Sequence, residues 1–326
     1  MSSFGKIRVE GRDAESFLNK VCGNDLSVQE GRIVYTQFLN TAGGIEADVT
    51  VTRLSETAYL VVTPAATLRA DMTWMRRHLG DAHVVMTDVT AGEAVLAIMG
   101  PEARDFLGLV SPSDLSNEHH PFGMAREIEI GMGLARAHRV SYVGELGWEL
   151  YVSSDMAAHV AETIVGKTSA KRLQMVGLHA MDSLRIEKAF RHFGHDISCE
   201  DHVVDAGLGF AVKTAKPDFI GRDAVLRRKE TGPKSRMMQF LLKDAEPLLY
   251  HNEPILRDGE VVGYLSSGNY GHWLGAAVGM GYVPCEGEKP EQALSSSYQI
   301  EVAGTLVDAK ASLRPMYDPK SERVRA

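Results

Sequence analysis

Residues 34–52 read VYTQFLNTAGGIEADVTVT, in which a turn-rich segment leads into an alternating run. Turn-forming residues dominate positions 40–44, and positions 49–52 alternate apolar and polar side chains, which predicts a half-buried strand. Because side chains alternate between the two faces of a strand, Asp48 shares a polar face with Glu46. The pattern alone favours a solvated Asp48. The alternative is that this face lines a cavity, where Asp48 acts as a base or holds a cation.

Regular elements are predicted on both sides of this stretch. Hydrophobic periodicity and terminal glycines indicate helices at residues 13–22, 67–79 and 177–193, the last being the longest, with a strand pair at 49–63 and a hairpin at 135–152.

A basic segment, RRKETGPKSR at residues 227–236, is predicted to be a linker and the domain boundary. Beyond it, Asp258-Gly259 and Ala303-Gly304 each lie between apolar runs, a pattern typical of tight hairpins. These turns predict a C-terminal antiparallel β-barrel or sandwich.

The composition is that of a folded protein of about two domains. The 326 residues are 44% hydrophobic and 24% charged, and 35 basic against 43 acidic residues give a net charge of −8. This balance counts against nucleic-acid binding and favours a small-molecule site. No stretch approaches the roughly 20 apolar residues of a membrane span, and the three cysteines are widely spaced. A cytoplasmic protein is expected, or a mitochondrial-matrix protein if the source is eukaryotic.

Motifs of several common enzyme classes are missing from the sequence. There is no Walker loop, HExxH motif or G-x-S-x-G elbow, and no G-x-G-x-x-G follows a strand. No FAD or NAD site is therefore expected within this chain. Residues 192–202 contain several side chains that are able to bind a metal ion. However, no CxxC motif or second ligand pair completes a standard metal-binding pattern. A polar loop is the favoured interpretation, and no metal is predicted.

Two further charged residues and a tyrosine are candidates for a binding site. Glu149 is either an exposed strand carboxylate or one that accepts two parallel N–H bonds from a planar heterocycle, with Tyr142 offering a ring face or hydroxyl nearby. Arg185 interrupts the apolar stripe of the predicted helix at 177–193. Its partner is either Asp182, three residues earlier, or a ligand carboxylate or carbonyl.

The order of several phrases resembles the glycine-cleavage T-protein (aminomethyltransferase) superfamily. Within it, the chain is most similar to the C-terminal folate module of dimethylglycine and sarcosine dehydrogenases. The similarity runs nearly end to end. The matching phrases are VYTQFLN at 34–40, GGIEAD at 43–48, YVGELGWE at 142–149, DSLRIE at 182–187, GHD at 194–196, FIG at 219–221, SGNYG at 267–271 and YDP at 317–319.

The resemblance implies an α+β fold of antiparallel sheets with packed helices around a central folate cavity, plus a C-terminal β-barrel. The domains would be residues 1–230, comprising two subdomains and apparently truncated at the N-terminus, and residues 236–320. It also implies roles: Asp48 is the catalytic carboxylate, Glu149 grips the pterin N–H edge, and Arg185 serves the cavity. The remaining implied cofactor-binding residues are the tyrosines Tyr35 and Tyr142 and the phenylalanines Phe4, Phe193 and Phe210.

Some positions depart from the family pattern. Phe210 stands where the T-protein usually has tryptophan, Phe193 where it often has tyrosine, and Phe4 where it has methionine. These departures favour the dehydrogenase-linked branch. Family members also carry a segment before the phrase that begins here at Ser2. A fragment, a split-gene subunit and a mis-assigned start remain open explanations. Because that segment normally adds to the first domain, its absence from this sequence predicts an incomplete edge strand or cavity wall.

The implied reaction is tetrahydrofolate-dependent one-carbon transfer that yields 5,10-methylenetetrahydrofolate, with tetrahydrofolate as the cofactor. The implied partners are a small-molecule one-carbon donor and either a flavin dehydrogenase subunit or a lipoylated carrier protein, with no nucleic acid and no membrane. The alternatives are a non-catalytic folate-binding protein and an inert fragment of a larger FAD-dependent dehydrogenase.

Overall fold

The computed structural model describes residues 3–166 and 173–326, so the predicted phrase that begins at Ser2 lies partly outside the described residues. Two antiparallel sheets are followed by two helices and a closed barrel. No helix among the described residues is long and apolar enough to cross a bilayer.

The first sheet has five antiparallel strands. They are β1 (Phe4–Glu10), β2 (Ile33–Leu39), β3 (Ile45–Ser55), β4 (Ala58–Pro64) and β5 (Val85–Asp88). Their order is β2-β3-β4-β1-β5, so β1 is paired on both sides. The helices α1 (Ala14–Val21) and α2 (Leu68–His78) pack on one face of this sheet through an apolar cluster that contains Val49 and Val51. The predicted strand pair and these two helices are confirmed.

The second sheet has four antiparallel strands in the order β6-β9-β8-β7. They are β6 (Glu93–Met99), β7 (Ala125–Ile130), β8 (Gly133–His138) and β9 (Gly147–Ser153). Two helices, α3 (Ala103–Gly108) and α4 (Ala157–Gly166), cover one face through a cluster around Trp148 and Leu150. The predicted hairpin at 135–152 is confirmed, because β8 and β9 pair antiparallel with Ala135 opposite Val152.

The uncovered faces of the two sheets pack against each other. Leu60 and Val62 of β4 form an apolar cluster with Tyr151 of β9. Beside this cluster, the fully buried Lys6 of β1 donates a 2.7 Å hydrogen bond from Nζ to the carbonyl oxygen of Glu93 in β6. These contacts define an inter-sheet surface on each sheet, which is the face that a strand pattern alone would assign to solvent.

The helix predicted at 177–193 is shorter than expected. Helix α5 (Leu178–Glu187) has 10 residues, one fewer than α2. The predicted length is therefore wrong, and so is the prediction that this helix is the longest. The chain leaves the helix because Ala189 adopts a left-handed φ of 53°. The preceding side chain, Lys188, is buried in an ion pair with Asp318, which anchors the turn. Residues 188–193 therefore form a loop.

The predicted linker at 227–236 is also mostly wrong. Helix α6 (Arg222–Thr231) continues through most of its basic residues and ends where Gly232 adopts a φ of 86°. Only residues 232–234 connect this helix to the next strand. The basic side chains keep the helix because lysine and arginine are good helix formers. A division of the chain into domains 1–230 and 236–320 stays a prediction.

The C-terminal strands close into a six-stranded antiparallel barrel, as predicted. Its strands are β10 (Ser235–Leu242), β11 (Pro254–Arg257), β12 (Glu260–Gly271), β13 (Ala276–Pro284), β14 (Tyr298–Val302) and β15 (Thr305–Ser312), and the short helix α7 (Pro290–Ser295) precedes β14. Both predicted tight turns are confirmed: Asp258-Gly259 and Ala303-Gly304 join paired strands with positive φ at all four residues, as type I′ turns require.

Candidate functional site

The inter-sheet surfaces carry both predicted carboxylates. In the first sheet, Asp48 lies two residues before Thr50, which pairs directly with Val62, so Asp48 shares the face that packs on the second sheet. In the second sheet, Glu149 lies two residues before Tyr151 and shares its face. The two side chains therefore belong to surfaces that face each other across the sheet-to-sheet contact.

Asp48 is partly buried and hydrogen-bonded, so its interpretation as a solvated strand carboxylate is wrong. The fully buried Gln37 lies directly opposite in β2, and its Nε2 donates a 2.8 Å bond to Asp48 Oδ1. Burial raises the pKa of Asp48 to about 6, although Gln37, Tyr35 and Arg191 all stabilise the charged form. Such a carboxylate exchanges its proton near neutral pH, which suits a general base.

Tyr35 and the loop after α5 surround this carboxylate. Burial and the neighbouring Asp48 carboxylate both raise the pKa of Tyr35, so its hydroxyl stays protonated. The hydroxyl of Tyr142 donates a 2.9 Å bond to the carbonyl oxygen of Arg191, and its ring stacks on Phe190 with a centroid distance of 6.0 Å. Arg191 donates in turn to the carbonyl of Ala189 at 2.6 Å. The loop that replaces the predicted helix end thus supplies an aromatic wall and a cation.

Glu149 is buried, with only 9% of its surface exposed, so its interpretation as an exposed strand residue is wrong. Its Oε2 accepts a 2.9 Å hydrogen bond from the hydroxyl of Tyr151, and burial raises its pKa above the usual value. The residues directly opposite in the neighbouring strands are Ala97 and His138. A carboxylate in this setting is costly to bury, which is typical of a site that awaits a donor-rich ligand.

Arg185 is 2% exposed and pairs with the protein itself. Its guanidinium donates to Asp182 at 2.7 Å, to Asp196 at 2.5 Å and to the Ser267 hydroxyl of the barrel at 2.8 Å. The predicted partner Asp182 is therefore present, but it is joined by Asp196, whose side chain is completely buried. This network connects α5, the following loop and β12. A role of Arg185 toward a ligand stays a prediction.

The phenylalanines occupy different surroundings. Phe4 packs on the inter-sheet cluster of Leu60, Val62 and Tyr151. Phe193 borders the same apolar cluster as Tyr35, which also lies 6.2 Å from the Phe210 ring. Phe210 itself is 76% exposed. Tyr35 and Tyr142 thus gather around Asp48, Phe4 lies on the cluster that contains Tyr151, and Phe193 and Phe210 lie at the margin beyond Tyr35.

Sequence reasoning missed several polar residues of the inter-sheet surfaces. The role of Gln37 follows only from the register of β2 and β3, which places it opposite Asp48. Arg191 was not considered because it lay within the predicted helix at 177–193. His138 ends β8 beside Glu149 and carries no motif of its own. A signal for Gln37 was available, since a glutamine inside the otherwise apolar phrase VYTQFL is unusual for a buried strand.

Buried polar atoms on both inter-sheet surfaces lack hydrogen-bond partners within residues 3–166 and 173–326. They include Gln37 Oε1 and Thr52 Oγ1 on the first sheet and both ring nitrogens of His138 on the second. Buried polar groups are nearly always satisfied by protein, water or ligand. Unsatisfied donors and acceptors on the two surfaces that carry Asp48 and Glu149 fit a polar heterocycle between the sheets better than they fit a purely structural contact.

The loop at 192–202 does not gather a metal-binding set. The rings of His192 and His195 lie 4.6 Å apart, but Asp196 is committed to Arg185. Across the described part of the chain, no group of three or more histidine, cysteine, aspartate or glutamate side chains is arranged to hold a metal ion.

Comparison with protein families gives two matches that together cover most of the chain. The model described as the GCVT N-terminal domain matches residues 1–216, and the model described as the glycine cleavage T-protein C-terminal barrel domain matches residues 236–318. The chain belongs to the glycine cleavage T-protein family. The resemblance and the α+β fold with a C-terminal barrel, both predicted from the sequence, are confirmed.

Two of the similar proteins differ in how much of their own length this chain matches. The chain is 40% identical over 326 residues to 4-methylaminobutanoate oxidase (formaldehyde-forming) of Paenarthrobacter nicotinovorans, matching 100% of this chain and 39% of the oxidase. It is 33% identical over 299 residues to an aminomethyltransferase of Halothermothrix orenii, matching 90% of this chain and 82% of that enzyme. The chain therefore spans less than half the length of the oxidase but most of the length of the aminomethyltransferase.

A solved structure of the same T-protein family has the same fold. Aminomethyltransferase T of the glycine cleavage system from Bartonella henselae superposes with a TM-score of 0.85 at 25% identity, covering 98% of this chain and 85% of that one.

Proposed function

We propose that this chain transfers a one-carbon unit to tetrahydrofolate, with the pterin held between the two sheets. The observation that carries the proposal is the placement of two carboxylates, the partly buried Asp48 and the buried Glu149, on surfaces that face each other, beside buried polar atoms that have no partner among the described residues. Tetrahydrofolate, when bound, supplies the amine nitrogens that take up the one-carbon unit. The aminomethyltransferase relatives support the same chemistry.

Glu149 holds the ligand in this proposal. The hydrogen bond from Tyr151 engages Oε2 and fixes the orientation of the carboxylate. A carboxylate has about four lone-pair sites, so it can still accept a ring N–H and an amino group side by side. Tyr142, stacked on Phe190, and Tyr35 add ring surface around the same space. Orientation of this kind is itself a large part of catalysis.

In this proposal Asp48 stabilises positive charge and accepts a proton. A one-carbon unit at the oxidation level of formaldehyde reaches an amine as an iminium cation, and a neighbouring carboxylate stabilises that positive charge. Two carbon–nitrogen bonds to the acceptor form as the carbon–nitrogen double bond of the donor iminium breaks. The acceptor loses the protons of two N–H groups, one of which leaves on the donor amine. With a pKa of about 6, Asp48 can accept the other at neutral pH.

The donor is proposed to be an N-methyl amine. The name of the Paenarthrobacter relative states that it oxidises 4-methylaminobutanoate and forms formaldehyde, and the relative from Homo sapiens, 31% identical, is a sarcosine dehydrogenase. Both are more than twice as long as this chain, which matches 39% and 37% of them. We propose that a flavoprotein oxidises the amine and that this chain captures the carbon. Delivery by a lipoylated carrier is the alternative that the sequence resemblance implies.

The experiment has two stages. The purified chain is first titrated with tetrahydrofolate by calorimetry. It is then mixed with tetrahydrofolate, sarcosine and a sarcosine-oxidising flavoprotein, and 5,10-methylenetetrahydrofolate is measured. Because free formaldehyde reacts with tetrahydrofolate unaided, the rate without the chain is subtracted. Binding with a rate above that background supports the proposal. Binding without it indicates a non-catalytic folate-binding protein, and no binding contradicts the proposal.

A further inference from the structure

His138 lies beside the proposed pterin grip. It is the last residue of β8 and pairs directly with Glu149 in β9, so the two side chains leave the sheet on the same face. The His138 ring also stacks on Tyr151, with a centroid distance of 4.2 Å and an interplanar angle of 31°. His138, Glu149 and Tyr151 therefore form one continuous group on the inter-sheet surface of the second sheet.

The imidazole of His138 is 1% exposed, yet neither of its ring nitrogens has a hydrogen-bond partner among the described residues. Burial, followed by the nearby charges of Arg136 and His120, lowers the pKa of His138 well below its usual value. The ring is consequently neutral at physiological pH and offers one N–H donor and one acceptor nitrogen. Leaving both unsatisfied in a buried position is costly, so a partner other than the described residues is expected.

We propose that His138 is a second ligand-binding residue, which donates a hydrogen bond to a carbonyl oxygen adjoining the N–H edge that Glu149 accepts. This inference rests on the proposed function and deepens it by naming a specificity-determining residue. A heterocycle with an amide edge presents a ring N–H next to a carbonyl oxygen, and the pterin ring has this arrangement. Neighbouring positions on paired strands, about 5 Å apart, suit two adjacent groups on one ring.

Glu149 and His138 together would select a ligand ring that presents an N–H next to a carbonyl oxygen. The Glu149 carboxylate can only accept hydrogen bonds, whereas the neutral His138 ring can donate one to a carbonyl oxygen. A ring that lacks the carbonyl would leave the His138 N–H buried and unpaired, which is how a polar site rejects a wrong ligand. The other explanation is that ordered water satisfies the imidazole and that His138 merely fills space.

The test replaces the imidazole but keeps the ring. His138→Phe preserves the stacking on Tyr151 and removes both nitrogens, so the melting temperature should hold or rise. The dissociation constant for tetrahydrofolate, measured by calorimetry, should increase about 3- to 10-fold, the scale of one neutral hydrogen bond. His138→Gln, which restores a donor and an acceptor, should recover most of the affinity.

A second buried histidine provides the matched control. His120 is fully buried and has one nitrogen without a partner among the described residues, but its ring packs against Trp148, on the opposite face of β9 from Glu149. His120→Phe should therefore leave tetrahydrofolate affinity unchanged. Weaker binding in His138→Phe alone, with recovery in His138→Gln, supports the inference.

The inference and the proposed function fail in different ways. If wild-type protein does not bind tetrahydrofolate, the proposed function fails. If wild type binds and His138→Phe binds equally well, the imidazole makes no hydrogen bond to the ligand. Ordered water then satisfies its nitrogens and the ring merely fills space, so the inference is overturned. Weakening in His138→Phe that His138→Gln does not recover would assign the loss to packing, which also overturns it. Nitrogen-15 resonances of the His138 ring offer a direct check, because they should shift when tetrahydrofolate is added.

Discussion

Gln37 Nε2 donates a 2.8 Å hydrogen bond to Asp48 Oδ1 from the position directly opposite it in the β2–β3 pair. Gln37 is fully buried, so this bond forms where water competes poorly. It stabilises the charged carboxylate, while burial of Asp48 acts in the opposite direction and raises its pKa to about 6. The cross-strand bond therefore limits, without cancelling, the rise in the pKa of the proposed catalytic group that burial causes.

Replacing Asp48 by asparagine tests its catalytic assignment. Asp48→Asn is nearly isosteric, and it removes a carboxylate that burial disfavours in its charged form, so stability at neutral pH should hold or rise. One-carbon transfer should fall about 10²-fold or more, the usual scale for losing a general base, while tetrahydrofolate still binds. The measurement is methylenetetrahydrofolate formation beside calorimetric binding. Wild-type turnover in the variant would end the catalytic assignment.

Removing the Gln37 amide should shift the pH dependence of the reaction. Gln37→Met keeps the length of the side chain but cannot donate, so the charged form of Asp48 loses a stabilising bond and its pKa rises above about 6. The acidic limb of the pH–rate profile should move to higher pH by about one unit, since each unit corresponds to about 1.4 kcal/mol. Rates are measured between pH 5 and 9, with circular dichroism as the folding control. An acidic limb that does not move would show that Asp48 is not the group that titrates.

Arg185 should be needed for stability. Arg185→Met leaves the completely buried carboxylate of Asp196 without its cation, and breaking a buried pair in this way costs about 3–5 kcal/mol. The melting temperature should therefore fall. Combining Arg185→Met with Asp196→Asn should recover part of the loss, because the unpaired charge is gone. Thermal unfolding of the two variants beside wild type checks this, and an unchanged melting temperature in Arg185→Met contradicts it.

Local turn chemistry was predictable because it depends on few residues. Asp258-Gly259 and Ala303-Gly304 adopt positive φ at both positions. Glycine adopts this conformation without steric cost and aspartate tolerates it, so the glycine after each apolar run was the local signal. The end of α5 was not predictable in this way. Its apolar and helix-forming residues continue to residue 193, and the helix stops earlier because Lys188 pairs with Asp318, which is 130 residues away.

The surroundings of the candidate site residues could not be predicted from local sequence either. Alternation correctly placed Asp48 opposite the apolar face of β3, but it could not say whether the polar face meets water or a second sheet. Glu149 posed the same ambiguity, and only the packing of Leu60 and Val62 on Tyr151 resolves it. The resemblance to the T-protein family named both carboxylates, but it did not indicate Gln37 or His138, because neither residue lies at a position that the resemblance assigns a role.

The most direct test of the account is a calorimetric titration of tetrahydrofolate into wild-type protein and Glu149→Gln. A carboxylate accepts both donors of the pterin edge, whereas an amide must turn its NH₂ toward one of them. Hydrogen bonds to a charged group are worth roughly 1.5–3 kcal/mol, so affinity should fall about 10- to 100-fold. The melting temperature should hold or rise, because burial disfavours the charged form of Glu149 and raises its pKa, and the variant removes that carboxylate. Equal affinity in two equally folded proteins would contradict the account, because Glu149 would then not hold the pterin.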